Sequence, residues 1–330
     1  MKALVYTGAL QVEYRDEPEP ELSDNQVLVQ IKASGICGSD MHAYHGHDER
    51  RVPPLILGHE AAGIAQGGKY NGQAVAINPI TTCGSCRDCL AGKTNICAQR
   101  ELIGMRVAGA FADYVAIDER SLIPVPDGLS LTKASLMEPT AVSLHSVVLA
   151  EKFLARPLSE INALVIGGGA IGLLAALILQ QKGTAAIYLS ETSDARRKRV
   201  AENSACAVFD PLSKDLPDEN MFDLVIDAVG SGATRADACR YARPGGVISH
   251  IGLQDNEPGL DTRKLTLQEI TFIGNYTYTA TDLIASLDAI ANGTLGSLDW
   301  MDIRPLADGS SAFRDLHQGD DVAPKIILEP

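Results

Sequence analysis

The chain has little positive charge for its length. Its 330 residues include 28 Lys and Arg against 42 Asp and Glu, and the formal net charge is −14. A nucleic acid requires clustered basic side chains that neutralise its phosphates. The composition therefore argues against a polyanion as the main partner, and we expect a small-molecule substrate and no nucleic acid.

A long apolar run is also missing. The longest one, residues 170–179, is about half of a membrane span and directly follows a glycine loop. The first residues, MKALVYTG, have too short an apolar stretch for a signal peptide and are typical of a β-strand. We therefore expect no membrane partner and a cytoplasmic protein.

Cysteine is scarce and unevenly distributed. Seven cysteines are too few for a disulfide scaffold in a chain of this size, yet four of them, Cys83, Cys86, Cys89 and Cys97, lie close together. Four thiolates close a tetrahedral shell around zinc and leave no open position, which suits a structural site. An iron–sulfur cluster is one alternative interpretation. A nucleic-acid-binding zinc ribbon is another, but the segment lacks aromatic side chains for stacking and the protein is acidic.

No internal repeat or low-complexity segment divides the chain, but its patterning changes after Glu138-Pro139. Before this point, short β-patterned runs such as residues 26–32, 73–78 and 111–117 predict an all-β unit, partly closed like a small barrel. From residue 163 onward strands and helices alternate, which predicts a parallel sheet with helices on both faces. A last strand at residues 325–328 is expected to return to the first unit.

A glycine-rich turn separates a predicted strand at residues 164–166 from an apolar helix at residues 170–182. The G-x-G-x-x-G pattern here, typical of a dinucleotide-phosphate site, comprises Gly167, Gly168, Gly169, Ala170, Ile171 and Gly172. Glu191, after the next strand, is the acidic residue expected to accept the ribose hydroxyls of NAD. Arg196 and Arg197 leave NADP open as the alternative cofactor.

A second set of metal-ligand types is dispersed along the first half of the chain. Cys37 lies in GICGSD, His59 and Glu60 lie in GHE, and Glu138 begins the Glu-Pro junction. One thiolate, one imidazole and one or two carboxylates would leave a coordination position for water or substrate, as catalytic zinc requires. Spacing alone does not join these residues, since a single Cys or His is more often a core residue.

Five motifs in order resemble the zinc-containing medium-chain dehydrogenases. They are GICGSD at 35–40, GHE at 58–60, CGSCRDCLAGKTNIC at 83–97, EPTAVSLH at 138–145 and GGGAIG at 167–172. This resemblance covers essentially the whole chain. It implies a GroES-like, partly open β-barrel catalytic domain at residues 1–139 and 277–330, with a structural-zinc lobe at about 80–100. A Rossmann doubly wound parallel sheet would be inserted at residues 140–276.

The resemblance also implies roles for the dispersed residues. Cys37 and His59 would bind a catalytic zinc directly, and Glu60 and Glu138 would bind it directly, through water or by exchange. The four cysteines at 83–97 would hold a structural zinc. Ser39, two residues after Cys37, is the predicted first proton-relay group and His42 the next, although His42 in a simple loop role is an equal alternative. A surface metal site at His45 and His47 is a further alternative.

The Glu-Pro junction is similar to that of the polyol branch, which includes sorbitol, threonine, butanediol and galactitol-1-phosphate dehydrogenases. The implied function is reversible oxidation of a secondary alcohol in a polyol, sugar alcohol or diol, with or without a phosphate. Two zinc ions per subunit and NAD would be the cofactors, in a homodimer or homotetramer. Threonine-dehydrogenase-like oxidation of an amino alcohol and a non-catalytic zinc- and NAD-binding homologue are the alternatives. Residues 276–278 read Tyr-Thr-Tyr where sorbitol dehydrogenases carry Phe-Arg-Tyr, so sorbitol itself is not expected.

Overall fold

The computed structural model describes residues 1–319 and 323–330. Its strands are β1 (Lys2–Gly8), β2 (Gln11–Asp16), β3 (Gln26–Gly35), β4 (Leu55–Ile56), β5 (Glu60–Gln66), β6 (Ala74–Ile77), β7 (Ile80–Thr81), β8 (Glu101–Leu102), β9 (Tyr114–Asp118), β10 (Leu122–Pro124), β11 (Asn162–Ile166), β12 (Ala186–Ser190), β13 (Ala207–Phe209), β14 (Phe222–Asp227), β15 (Ala242–His250), β16 (Thr271–Gly274), β17 (Asp302–Pro305) and β18 (Ile326–Glu329). Its α-helices are α1 (Gly38–Tyr44), α2 (Arg87–Leu90), α3 (Leu131–Ala134), α4 (Met137–Glu151), α5 (Ala170–Gln181), α6 (Asp194–Asn203), α7 (Gly232–Tyr241), α8 (Thr262–Leu267), α9 (Ala280–Ala291) and α10 (Gly309–Gln318).

The predicted parallel sheet is confirmed. Six strands follow the order β13-β12-β11-β14-β15-β16, and every neighbouring pair is parallel. This order is that of a Rossmann sheet, in which the chain reverses direction beside the first strand and leaves a crevice for a dinucleotide. The core strand β11 is apolar and almost completely buried, as expected for a strand covered on both faces.

The first part of the chain forms mainly antiparallel sheets. The largest follows the order β10-β6-β5-β3-β18-β17, with β9 also paired to β3, and smaller sheets contain β2-β1-β4 and β7-β8. The C-terminal strand β18 is antiparallel to β3, with Ile327 opposite Gly35 and Leu328 opposite Ser34. The predicted return of the last strand to the first unit is therefore confirmed.

Several strand boundaries differ from the sequence prediction, and for two of them the structure shows the cause. Strand β9 begins at Tyr114 and not at residue 111, because the backbone of Phe111 bonds to Leu57 and Leu4 while its ring is buried. The run at residues 246–253 also predicts a strand, but β15 ends at His250, because the next two backbone N–H groups both donate to the carbonyl oxygen of Asp227. Both changes arise from long-range bonds that a local pattern does not contain.

Helix α4 connects the two parts of the molecule. It packs against α5 and α9, and its first turn carries Glu138. Strands β11 to β16 lie in one sheet, whereas β17 and β18 belong to the sheet of the first part. The domain boundaries at residues 139/140 and 276/277 stay predictions. In residues 1–319 and 323–330, no helix is both long enough and apolar enough to cross a membrane.

The start of α9 supplies a prediction about acid stability. One carboxylate oxygen of Asp282 accepts hydrogen bonds from the Thr279 backbone at 2.9 Å, the Thr279 hydroxyl at 2.6 Å and His145 Nδ1 at 2.7 Å. Burial alone would raise the pKa of Asp282, but the bonds from His145 and Thr279 outweigh it and lower that pKa. A carboxyl group whose pKa is lower in the folded protein than in the unfolded chain stabilises the fold at pH values above the unfolded pKa. This stabilisation is lost as the pH falls through the folded pKa.

We therefore expect Asp282→Asn to lower the free energy of unfolding by about 1.5–3 kcal/mol at neutral pH, the usual contribution of a hydrogen bond to a charged group. The deficit relative to wild type should shrink below about pH 4, where the unfolded carboxyl is protonated. Urea denaturation of wild type and variant, at neutral pH and below about pH 4, measures this difference in the free energy of unfolding. The exposed Asp288 on the same helix provides the control Asp288→Asn. A pH-independent deficit would contradict the assignment to the carboxylate charge.

Candidate active site

The register of two antiparallel strands brings the dispersed ligand candidates together. Gly35 at the end of β3 is opposite Glu60 at the start of β5, so Cys37 and His59, just beyond these ends, lie side by side. One ligand atom from each of Cys37, His59 and Glu60 lies within 4.8 Å of the other two. His59 and Glu60 are buried and Cys37 is partly exposed. The three donors form a half-open set of the kind that suits a catalytic zinc.

Glu138 lies next to this set but outside it. It is buried in the first turn of α4, and the group of mutually close ligand atoms among the described residues does not include its carboxylate. Burial raises the pKa of Glu138 to about 7, with a counteracting influence from His59 and a further rise from Glu60. The carboxyl is therefore a neighbour of the other three groups, and direct or water-mediated metal binding by Glu138 stays a prediction.

Asp40 lies beside the imidazole of His59, although no hydrogen bond joins the two side chains. The Asp40 carboxylate is fully buried; one oxygen accepts the Cys37 backbone N–H at 3.0 Å and the other lies 3.5 Å from His59 Nδ1. Burial alone would lower the pKa of His59, but Asp40 and Cys37 raise it well above its ordinary value. A carboxylate on Nδ1 leaves Nε2 for a metal, as is usual for metal-binding histidines. The anionic surroundings thus favour a cation at this place.

We expect Asp40→Asn to weaken zinc binding at this set by about 10- to 100-fold, the usual effect of removing a carboxylate behind a metal-binding imidazole. Chelator competition on the zinc-loaded protein measures the affinity. Asp48→Asn is the matched control. Like Asp40, Asp48 lies close to the guanidinium of Arg51, at 2.5 Å, but it has no contact with His59 among the described residues. Equal zinc affinity in Asp40→Asn and wild type would contradict the role.

A buried ion pair holds Glu60 in place. Lys325 Nζ donates to the two Glu60 carboxylate oxygens at 2.8 and 2.6 Å and to the Ile36 carbonyl oxygen at 2.9 Å. Lys325 is 4% exposed and Glu60 is completely buried. Burial alone would lower the pKa of Lys325, but Glu60 raises it. The Lys325 ammonium therefore restrains the Glu60 carboxylate beside the metal set.

The predicted relay residues lie on one helix, but they are not bonded to each other. Ser39 and His42 are both on α1, and in the described part of the chain no hydrogen bond joins them. The Ser39 hydroxyl oxygen instead accepts a bond from the buried guanidinium of Arg51 at 3.1 Å. Burial and the nearby His47 lower the pKa of His42, so its ring is neutral near pH 7 and able to accept a proton. The relay stays a prediction.

The four cysteines of the 83–97 segment converge on one point. Their sulfur atoms lie 3.9 Å apart for Cys83 and Cys89, 3.9 Å for Cys86 and Cys97, and 3.6 Å for Cys97 and Cys83. Four thiolates at the usual Zn–S distance of about 2.3 Å are separated by about 3.8 Å at the edges of a tetrahedron. Backbone N–H groups of Ser85 and Cys86 lower the pKa of Cys83 to about 6, which favours the thiolate. The geometry fits a single zinc ion better than a larger iron–sulfur cluster.

The glycine turn and its acidic partner are adjacent in space. Gly167 has φ +100°, and a Cβ at Gly172 would collide with the Gly167 carbonyl oxygen, so strand β11 and helix α5 approach closely. Glu191, directly after β12, accepts backbone bonds from Gly168 and Ser193, each at 2.8 Å. Arg196 lies 3.4 Å from the same carboxylate. Glu191 thus lies beside the glycine turn at the carboxyl end of β12, the edge of a Rossmann sheet at which a dinucleotide binds.

Sequence reasoning missed several of these residues. Asp40 lies inside the GICGSD motif, and its position three residues after Cys37 was a usable signal for a carboxylate on the same turn. Arg51 and Lys325 gave no local signal, because their partners are distant in sequence. Tyr278 is a further case: its hydroxyl is buried without a hydrogen-bond partner among the described residues, and burial and Glu138 raise its pKa.

Comparison with known proteins finds matches to both parts of the chain. Residues 23–127 match the family model described as alcohol dehydrogenase GroES-like domain, and residues 170–292 match zinc-binding dehydrogenase. The chain is 31% identical to L-galactonate-5-dehydrogenase of Escherichia coli over 89% of this chain and 88% of that protein. It is 30% identical to 2-dehydro-3-deoxy-L-galactonate 5-dehydrogenase of Pseudoalteromonas atlantica, over 92% of this chain and 91% of the relative.

Two solved structures match the fold over the whole length of this chain. The L-idonate 5-dehydrogenase of Escherichia coli superimposes with a TM-score of 0.88 at 25% identity, covering 100% of this chain and 98% of that one. The acetophenone reductase of Geotrichum candidum, solved in complex with NAD, superimposes with a TM-score of 0.88 at 25% identity, covering 100% and 97%.

Proposed function

The chain belongs to the zinc-containing medium-chain dehydrogenase family and is an NAD-dependent alcohol dehydrogenase, and we propose that it oxidises a secondary alcohol of a sugar acid or polyol to a ketone at a zinc held by Cys37 and His59. The observation that carries this proposal is the convergence of Cys37, His59 and Glu60 within 4.8 Å. Three donors of these types leave room for a substrate oxygen.

The donor sets fit the metal that the family uses. The 83–97 cysteines have the edge lengths of a tetrahedral zinc–sulfur site, and the catalytic set combines a thiolate and an imidazole with carboxylates nearby. We assign Cys83, Cys86, Cys89 and Cys97 to a structural zinc. When bound at the second set, zinc would supply Lewis-acid polarisation of the substrate hydroxyl and so favour its deprotonation.

The protein's own side chains organise the rest of the reaction. Asp40 lies on the Nδ1 side of His59, where its charge would favour the ring orientation that leaves Nε2 for the metal, and Lys325 restrains Glu60. Ser39 keeps a free lone pair and its own O–H after accepting the bond from Arg51, so it can take the substrate proton and pass its own proton on. His42, one turn further along α1, is the proposed next acceptor. When bound by the Rossmann sheet, NAD would supply the hydride acceptor.

Glu191 supports NAD as the preferred cofactor. Its carboxylate would accept ribose hydroxyls and repel a 2′-phosphate. Arg196 lies 3.4 Å from this carboxylate and is already paired with it, so it is less available for a phosphate. We therefore propose that NADP is used poorly.

The names of several relatives and one residue of this chain favour a sugar acid as the substrate. Two relatives named above, and the L-idonate enzyme, act on sugar acids according to their names. Thr277 replaces the arginine of sorbitol dehydrogenases, which argues against sorbitol as the preferred substrate. A polyhydroxylated chain with a terminal carboxylate is therefore our first choice, and a sugar alcohol is the second.

A substrate screen tests the proposal. Zinc-loaded protein would be assayed for NADH or NADPH formation with L-galactonate, L-idonate, galactitol, xylitol, butane-2,3-diol and L-threonine. We expect turnover of a sugar acid or sugar alcohol with NAD, slower turnover with NADP, and loss of turnover after chelation of zinc. A preference for L-threonine would favour amino-alcohol oxidation. A zinc-loaded protein inactive on every compound would favour a non-catalytic homologue.

A further inference from the structure

Four of the seven histidines form a patch at the surface, which we call the histidine patch: His42, His45, His47 and His317. The first three belong to α1 and the residues just after it, and His317 is in the last turn of α10. His45 Nε2 lies 3.0 Å from His317 Nδ1. The ring of His47 is next to that of His45, with 5.8 Å between centroids.

These histidines differ from the other three in the chain. His59, His145 and His250 each lie against an aspartate, at 3.5, 2.7 and 3.1 Å respectively. Among the described residues, no carboxylate forms an ion pair with His45, His47 or His317. An imidazole without a carboxylate partner and with imidazole neighbours is disfavoured in its protonated form. In agreement, burial and the neighbouring His317 and His47 lower the pKa of His45.

The distance between the two facing nitrogens suits a shared metal ion. Two nitrogen ligands at about 2.1 Å from one metal are separated by about 3.0–3.4 Å, depending on whether the geometry is octahedral or tetrahedral. A neutral imidazole can carry its proton on either nitrogen, so both facing nitrogens can offer lone pairs while each ring stays neutral. Imidazole is a preferred ligand of zinc, copper and nickel.

We propose that His45 and His317 form a third metal site, separate from the two zinc sites, which binds a divalent late transition-metal ion such as zinc or nickel. The two rings come from different helices, so the ion would connect α1 to α10. His47, exposed in the turn after α1, is the third ligand; its ring must rotate toward the ion, because no three ligand atoms in the patch already lie within 4.8 Å of one another. Water would complete the coordination shell.

Nickel is the probe, because its binding at this site can be measured separately from the zinc already bound at the other two sites. Zinc-loaded protein would be dialysed against a range of Ni²⁺ concentrations at pH 8, and nickel and zinc would be measured separately by elemental analysis. We expect saturable binding of one nickel per subunit with unchanged zinc content, and a higher melting temperature with nickel. His45→Gln and His317→Gln should each bind nickel about tenfold or more weakly, since one of two anchoring nitrogens is gone.

The control is Arg314→Gln, which changes an exposed residue on α10 one turn before His317 and should bind nickel like wild type. Cu²⁺ electron paramagnetic resonance provides a second readout, because nitrogen hyperfine structure in wild type should be reduced in His317→Gln. No saturable nickel binding by wild type would overturn the proposal. Nickel binding that persists unchanged in both histidine variants, or that is lost equally in Arg314→Gln, would overturn it as well.

Discussion

Lys325→Met is expected to destabilise the protein by about 3–5 kcal/mol, the usual result of removing one partner from a buried ion pair. The ammonium of Lys325 donates to both oxygens of Glu60, which is completely buried. Methionine fills a similar volume but leaves the carboxylate charged and unpaired. Urea and thermal denaturation of the zinc-loaded protein measure the loss.

The pH dependence of this variant has a defined sign. An unpaired buried carboxyl has a pKa raised above its unfolded value, so its cost is present at high pH and disappears as pH falls toward the unfolded value. The stability deficit of Lys325→Met should therefore shrink in acid. The deficit of Asp282→Asn also shrinks in acid, but for a different reason: there the wild type loses a favourable contribution of the Asp282 carboxylate, whereas here the variant loses an unfavourable one.

A double variant distinguishes a charge effect from a packing effect. In Lys325→Met/Glu60→Gln no uncompensated charge remains, and we expect it to regain most of the lost stability. If the double variant is as unstable as Lys325→Met, the loss comes from packing against β3 and β5. A loss below about 1 kcal/mol in the single variant would mean that water reaches Glu60 and solvates it.

Features encoded within a short segment could be predicted from the sequence. The Rossmann unit follows from a local strand, a glycine turn and an apolar helix, and the structure places β11, Gly167 and α5 in that order. The cysteine segment is equally local, because four thiolates that are close together in sequence can bind one ion without any long-range pairing. Short-range patterns succeed here because the chain itself brings these residues together.

Features that depend on long-range pairing could not be read from the sequence. Cys37 and His59 become neighbours only through the register of β3 against β5, and Lys325 is 265 residues away from Glu60. The resemblance to a family supplied the ligand set, but it said nothing of Asp40, Arg51 or Lys325. A lysine next to an apolar C-terminal strand carries no local indication of its partner. The face of the sheet on which its side chain lies cannot be predicted until the strand order and register are known.

Cys37→Ser is expected to lower turnover by about a thousandfold or more, because a metal contributes several kcal/mol of transition-state stabilisation. Serine keeps the shape of the side chain but is a poor zinc ligand at neutral pH, and Cys37 is one of the three donors that lie within 4.8 Å of one another. Zinc content should fall by one ion per subunit while the zinc of the 83–97 cysteines is retained. Elemental analysis and the NADH assay measure the two effects.

The matched control is Cys206→Ser, since Cys206 lies in the nucleotide-binding part and contacts none of the proposed zinc ligands among the described residues. Burial raises the pKa of the Cys206 thiol, as expected for a packing residue with no ligand role. This control should keep full zinc content and turnover. Full turnover in Cys37→Ser would remove Cys37 from the reaction, and zinc loss without loss of turnover would show that the metal is dispensable. Either result would mean that His59 and Glu60 converge for a reason other than catalysis.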